Sequence, residues 1–315
     1  MSSPARIDVH QHIIPPFWAE VRARSALDGS GGWHVPQWAA RSSIAFMDGL
    51  GIATGVLSPG AITFGDAQAG ADARRVNEFT ATVMQDRPDR FGMFAALPLP
   101  NVDAALAEIA HALDVLRADG VVLFTNYRGI YLGDPAFAPV WDELDRRATV
   151  VFIHPAQPSL TMLPGIPGPV VDFPLDTARA AMQLVVSGTI RRCTRVKVIL
   201  AHGGGFLPYA SHRFAELANE AVDATRPVED YLADMRKFYF DTALASGPAA
   251  MPSLLAFAGP GRVLFGSDFP FAAAQVGTSF TNKLDAYVAG DATLAATINR
   301  QSALALFPRL AAITL

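Results

Sequence analysis

The chain has 315 residues and a mass of 33.5 kDa, with 51 % apolar and 17 % charged residues, so it can bury a large core and is neither disordered nor coiled-coil in composition. A net charge of -4, a pI near 6.0 and the lack of any Lys/Arg-rich run exclude the electrostatic footprint of a nucleic-acid binder. The single cysteine, Cys193, excludes an intramolecular disulfide and a Cys-based zinc cluster, and no apolar run is long enough to span a membrane. With no basic stretch leading into an apolar core at the N-terminus, the expectation is a soluble, cytoplasmic protein.

The first element is a strand at Arg6–His10, inside "IDVHQHIIP", ended by a Pro-Pro break. After a looser stretch with Trp33 and Pro36, the pattern turns helical over Ala40–Leu50. Strands follow at Thr54–Ser58, Phe91–Ala96, Gly120–Thr125, Thr149–His154, Arg195–Ala201, Phe238–Thr242 and Arg262–Ser267. The helical periodicity between them falls at Ala71–Arg87, Val102–Arg117, Phe137–Arg147, Leu175–Thr189, Leu207–Ala221 and Ala249–Ala258, then at Thr281–Ala289 and Ala292–Leu306. Strand and helix alternating along the whole chain predict a parallel sheet, and eight such units predict a closed (β/α)8 barrel, the TIM barrel, as a single domain over residues 1–315. A doubly wound open sheet is the alternative. The Gly-x-Gly-x-x-Gly fingerprint that would favour a dinucleotide-binding version is missing, and "HGGGF" at His202 does not have its spacing.

In a barrel, side chains at the C-terminal strand ends converge on one mouth. His10 and His12 end the first strand, His154 the fifth, His202 the sixth and Asp268 the eighth. Residues at i and i+2 of an extended segment point to the same side, so His10 and His12 can share one ion. Imidazole and carboxylate suit a borderline divalent metal, and an open position beside three or four such ligands makes a catalytic site. Each residue also has a plainer reading. A lone His-x-His is usually incidental, His154 before Pro155 fits a hydrogen-bonded core residue, His202 fits a tight turn, and Asp268 fits a cap. Five metal-suited residues on four strand ends make the conjunction a metal site. Of the other histidines, His111 falls in a helical run at the surface, while His34 and His212 receive no role.

These residues carry a family resemblance. In "DVHQHIIP", "FIHP", "ILAHGGGFLPY" and "LFGSDFPF", with weaker echoes in "DRFGMFAALPLP", "GDPAFAPVWDEL" and "YFDTAL", the chain resembles the decarboxylase-like branch of the amidohydrolase superfamily, typified by aminocarboxymuconate semialdehyde decarboxylase and γ-resorcylate decarboxylase. The motifs run in order along nearly the whole chain. The stretches "VDFPLDTARAAMQLVVSG" and "FTNYRGIYLGDPAF" look most like the 6-methylsalicylate decarboxylase group. The resemblance implies His10, His12, His154 and Asp268 as metal ligands, with His202 beside the metal-bound water or substrate as an acid/base. It implies one divalent ion, Zn²⁺ first and Mn²⁺ second, because "GVVLFTNYRG" lacks the strand-four lysine that bridges two metals in other members. It also implies a homodimer. Some decarboxylases of the branch have Glu at the position of His10, which leaves the subfamily mechanism open.

The expected reaction is decarboxylation of a small aromatic acid with a hydroxyl ortho to the carboxylate. The metal orients the substrate, and a group at the metal, His202 or Asp268, protonates the ring carbon. Phe173 and Phe271 are the candidate apolar walls, and Arg128, after strand four, the candidate carboxylate fork. The same ligand set serves a hydrolase of a lactone, amide or ester, and a catalytically silent barrel is a third reading, opposed by the complete set.

Overall fold

The computed structural model describes residues 5–25, 30–65 and 67–311. Ten strands occur among them. They are β1 (Arg6–Ile13), β2 (Ile52–Pro59), β3 (Phe91–Ala96), β4 (Gly120–Phe124), β5 (Asn126–Tyr127), β6 (Ile130–Tyr131), β7 (Val150–His154), β8 (Lys197–Leu200), β9 (Tyr239–Asp241) and β10 (Val263–Leu264). Eight of them form one parallel sheet in the order β1-β2-β3-β4-β7-β8-β9-β10. The last strand returns to the first. Val9 N–H donates to Phe265 C=O at 3.0 Å, Asp268 N–H to His10 C=O at 2.8 Å, and His12 N–H to Phe269 C=O at 2.7 Å. The fold is the expected (β/α)8 barrel, with helices in the crossovers.

β5 and β6 form a small antiparallel hairpin after β4 that the sequence pattern did not resolve. The last strand is shorter than expected. Only Val263–Leu264 ladders with β9, and the chain beyond it pairs with β1 instead. The fifth crossover helix begins earlier than expected and runs Gly168–Val186, with Pro174 inside it. Proline removes one helical N–H, which made the break at Leu175 the natural reading. The carbonyl that loses its partner belongs to Val170, an exposed residue, so solvent can serve it. Four short helices were not foreseen, Trp18–Arg24, Thr189–Arg192, Val228–Met235 and Pro308–Ala311.

The interior rises in layers towards the mouth. Phe94 on β3 stacks on Phe152 on β7 with centroids 5.4 Å apart, and the His10 ring packs edge-on against Phe152 at 4.8 Å. Both phenylalanines are fully buried. Phe152 and His154 are two residues apart on one strand, so the same alternation that puts a phenyl ring in the barrel floor puts an imidazole above it. β1 is bulged: Asp8 pairs with Gly55 and Gln11 with Leu57, so three steps on β1 oppose two on β2.

Candidate metal centre

The barrel brings His10, His12, His154, His202 and Asp268 together. Ligand atoms of His10, His154, His202 and Asp268 all lie within 4.8 Å of one another. His12 joins through its Nε2, 3.1 Å from His10 Nε2 and 3.0 Å from Asp268 Oδ1. His10 Nε2 is 3.3 Å from the same oxygen, and His202 Nε2 is 3.5 Å from Asp268 Oδ2. His10 and His12 are fully buried, His154 and Asp268 nearly so. His202 keeps a little exposure at the rim.

Which nitrogen of each ring faces inward is set from outside the cluster. His10 Nδ1 lies 2.8 Å from Oδ2 of Asp241, which can only accept, so Nδ1 holds the proton. His154 Nδ1 lies 2.8 Å from Pro155 C=O and is likewise the donor. Ser58 Oγ lies 3.4 Å from Gln11 C=O and 3.5 Å from His12 Nδ1. Three Nε2 atoms, those of His10 and His154 with their lone pairs inward, and a carboxylate therefore converge in a buried space. Such a set of acceptors repels itself unless a cation lies among them, and N and O donors in this number suit a divalent ion.

The electrostatics point the same way. Burial alone would push the His10 imidazolium down, but the charges of Asp241 and Asp268 outweigh it and hold the group up at about 10. Burial pushes His154 well below its ordinary value, helped by the charges of His12, His10 and His202, and burial also lowers His12. Burial would raise Asp268, yet the neighbouring imidazoles, His10 foremost, hold it well below the usual carboxylate range. The buried carboxylates thus favour a positive charge at the place where a divalent ion fits.

Part of the backbone strain of the described residues falls here. His202 and Asp268 both have left-handed backbones, at φ 54° and 64°, costing on the order of 1–2 kcal/mol each. The glycines after His202 serve turning and packing. Gly203, Gly204 and Gly205 all have positive φ, and a Cβ on Gly204 would lie 2.8 Å from the Phe240 ring.

Of the candidate substrate contacts, Phe271 packs edge-on against His12 with centroids 5.0 Å apart, and Phe173 stands 6.3 Å from His154. Arg128 sits exposed at the turn of the β5–β6 hairpin, in the left-handed region at φ 57°. His34 and His212 are exposed, and His111 is half-buried, 3.6 Å from Glu78.

Sequence reasoning missed two buried carboxylates. Asp8 takes N–H groups from His10 and Ser267, each at 3.0 Å, and the Gln11 amide at 2.9 Å. Burial pushes its carboxyl up to about 6 against the pull of these bonds. Asp8 thereby fastens the bulge of β1 to the segment that carries Asp268. Its signal was its place two residues before His10, on the same face of the strand. Asp241 ends β9, and the rule that located the other strand-end residues applies to it equally.

A model of the amidohydrolase family matches residues 7–309, and the chain belongs to that family. The 6-methylsalicylic acid decarboxylase of Penicillium expansum is 42 % identical over 320 residues, spanning 98 % of this chain and 98 % of that protein. The Aspergillus niger protein named decarboxylase yanB is 40 % identical over 323 residues, spanning 96 % and 88 %. A crystal structure of 2,6-dihydroxybenzoate decarboxylase with 2,6-dihydroxybenzoate bound superposes with a TM-score of 0.77 at 26 % identity, covering 98 % of this chain and 99 % of that one. Within its family the protein is a carboxy-lyase. No helix among the described residues is long and apolar enough to cross a membrane.

Proposed function

We propose that the protein, one domain throughout, decarboxylates a small aromatic acid with a hydroxyl ortho to its carboxylate, of the 6-methylsalicylate kind, without oxidation. The observation that carries this reading is the inward convergence of three imidazole Nε2 atoms and Asp268 above an aromatic floor. His10, His12, His154 and Asp268 hold one divalent ion, Zn²⁺ in the first place and Mn²⁺ in the second. Bound there, the ion supplies a Lewis-acid chelate for the carboxylate and the ortho oxygen.

The remaining work falls to the chain. His202 lies beside the cluster, with its Nδ1 buried and without a hydrogen-bond partner among the described residues. It delivers the proton to the ring carbon that carries the carboxylate, directly or in concert with Asp268. The carbon–carbon bond then breaks, its electron pair returns to the ring, and CO₂ leaves, so one proton is consumed for each CO₂ released. Phe173 and Phe271 form walls for a flat ring, and Arg128 takes the substrate's anionic edge. The supporting likeness is to proteins named for 6-methylsalicylic acid and 2,6-dihydroxybenzoate, both ortho-hydroxy acids.

The chain is also proposed to pair as a homodimer. In support, Leu160, Met162, Leu163, Ile166, Val170 and Val171 are all exposed within one stretch near the mouth. Sedimentation at working concentration should give twice the monomer mass. The buried free thiol of Cys193 fits the proposed cytoplasmic location. The test of function incubates metal-loaded enzyme with a panel of hydroxybenzoates and a panel of lactones and amides. Release of CO₂ with a ring proton taken from solvent is the expected result. Turnover of lactones or amides with every hydroxybenzoate untouched would overturn the reading.

A further inference from the structure

His10 is held by more than its place on β1. Its Nδ1 lies 2.8 Å from Oδ2 of Asp241, and both side chains are fully buried. The other oxygen of Asp241 accepts two backbone N–H groups, from His202 at 2.9 Å and Ala243 at 3.0 Å. Packing holds the pair in place. A Cβ on Gly266 would lie 3.0 Å from His10 Cβ and 3.1 Å from both Cβ and Cγ of Asp241. With two backbone donors on Oδ1, the carboxylate has only an acceptor left for the imidazole. Nδ1 must carry the proton, and Nε2 must present its lone pair to the cluster.

We infer that Asp241 is a positioning residue: it locks His10 in the tautomer that can bind an ion and, through the same carboxylate, anchors the backbone of His202. This rests on the proposed ligand role of His10. An imidazole protonated at the inward nitrogen turns an N–H towards the ion and cannot bind it. One side chain therefore sets both the ligand from β1 and the proton-handling residue after β8.

Asp241→Asn tests this with little change of shape. Its Oδ1 can still serve the two backbone N–H groups, which leaves the amide NH₂ facing His10 Nδ1. Flipping the amide does not help, because the backbone donors would then meet the NH₂. His10 is pushed to the other tautomer. Asp241→Ala removes more contacts but leaves the imidazole free to choose. Zinc affinity, measured by competition with a chelator, should fall roughly 10–100-fold in Asp241→Asn and by less in Asp241→Ala. Nitrogen-15 NMR of the zinc-loaded wild type should show His10 protonated at Nδ1 and metal-bound at Nε2, and Asp241→Asn should lose that signature. A merely structural role gives the opposite order, since Ala removes the most contacts. Unchanged zinc affinity and an unchanged His10 signature in Asp241→Asn, or Ala weaker than Asn, would overturn the inference while the ligand reading stood. Zinc affinity unchanged in His10→Ala would overturn the ligand reading, and the inference with it. If Asp241→Ala does not fold, the His10 signature in Asp241→Asn decides alone.

Discussion

At the N-terminal end of the barrel lies a cleft whose charges are answered. Arg147 donates to Glu143 at 2.6 Å and to Asp114 at 2.8 Å. Arg309 forks onto Asp119 at 2.9 and 2.8 Å, and Asp119 also accepts the N–H of Met93 at 3.0 Å. The cleft there, about 320 Å³ and lined by Asp119, Arg147 and Thr149, is bordered by charges already paired. At the C-terminal end, acceptors face acceptors: His10 and His12 bring their Nε2 atoms within 3.1 Å, above a buried carboxylate. Both ends come from the same strands. Opposite charges matched at the surface stabilise a fold modestly. Like-natured groups forced together in the interior cost stability and persist where a ligand resolves the conflict.

The largest effect should come from removing the conflict itself. The His10→Ala, His12→Ala double variant should drop from about one metal ion per chain to almost none by elemental analysis, with activity at background. Metal content equal to wild type would mean that the mouth is not the metal site and that the contrast between the two ends has another cause.

A second variant separates holding the ion from moving the proton. His202→Ala should lose roughly 10²–10⁴-fold in kcat while keeping its metal. Loss of the metal would place His202 among the ligands, as its donor atom's position within the four-residue group allows.

The apolar wall should matter less. Phe271 is partly exposed beside His12, and Phe271→Ala should raise KM roughly 2–10-fold with kcat little changed, the worth of one aromatic contact. An unaltered KM across the hydroxybenzoate panel would take Phe271 out of the substrate pocket.

The smallest effect belongs to the other end and depends on pH. The guanidinium groups of Arg146 and then Arg147 hold the Glu143 carboxyl down at about 2, from an ordinary value of 4.5. The unfolded chain thus binds the proton first. The pairing stabilises the fold above pH 4.5, and this contribution is lost as pH falls from about 4.5 to about 2. Solvent screens the pair, so the shift is modest. Glu143→Gln should have a slightly lower Tm than wild type at pH 7, with the two converging near pH 2 and kcat/KM equal at neutral pH. A Tm difference constant down to pH 2 would show that the pairing contributes nothing to the acid response.

Much of this was legible without coordinates. β-strand alternation is local, so "VVFIH" and "VILAH" announce strands that end in histidine, and barrel topology then sends those ends to one mouth. The short helix Val228–Met235 was also within reach, since Pro227 precedes it and Glu229 and Asp230 fill its first turn. Its eight residues simply make a weak periodic signal. The β5–β6 hairpin, with two residues on each side, makes almost none. The motifs served a decarboxylase and a hydrolase equally, and it is the likeness to decarboxylases over nearly the whole chain that makes the protein a carboxy-lyase.

The sequence by itself determined the eight strand–helix units, the residue types at the strand ends and the lack of a bridging lysine, because each of these is written in neighbouring residues. Only the tertiary structure decided what surrounds those residues. The bulge beside His10 is a matter of register between β1 and β2. The glycines after His202 answer to Phe240 and to positive φ. Asp241 meets His10 across 231 residues of chain. Which nitrogen of an imidazole carries its proton depends on a partner brought near by barrel closure, and no local pattern in the sequence encodes that distance.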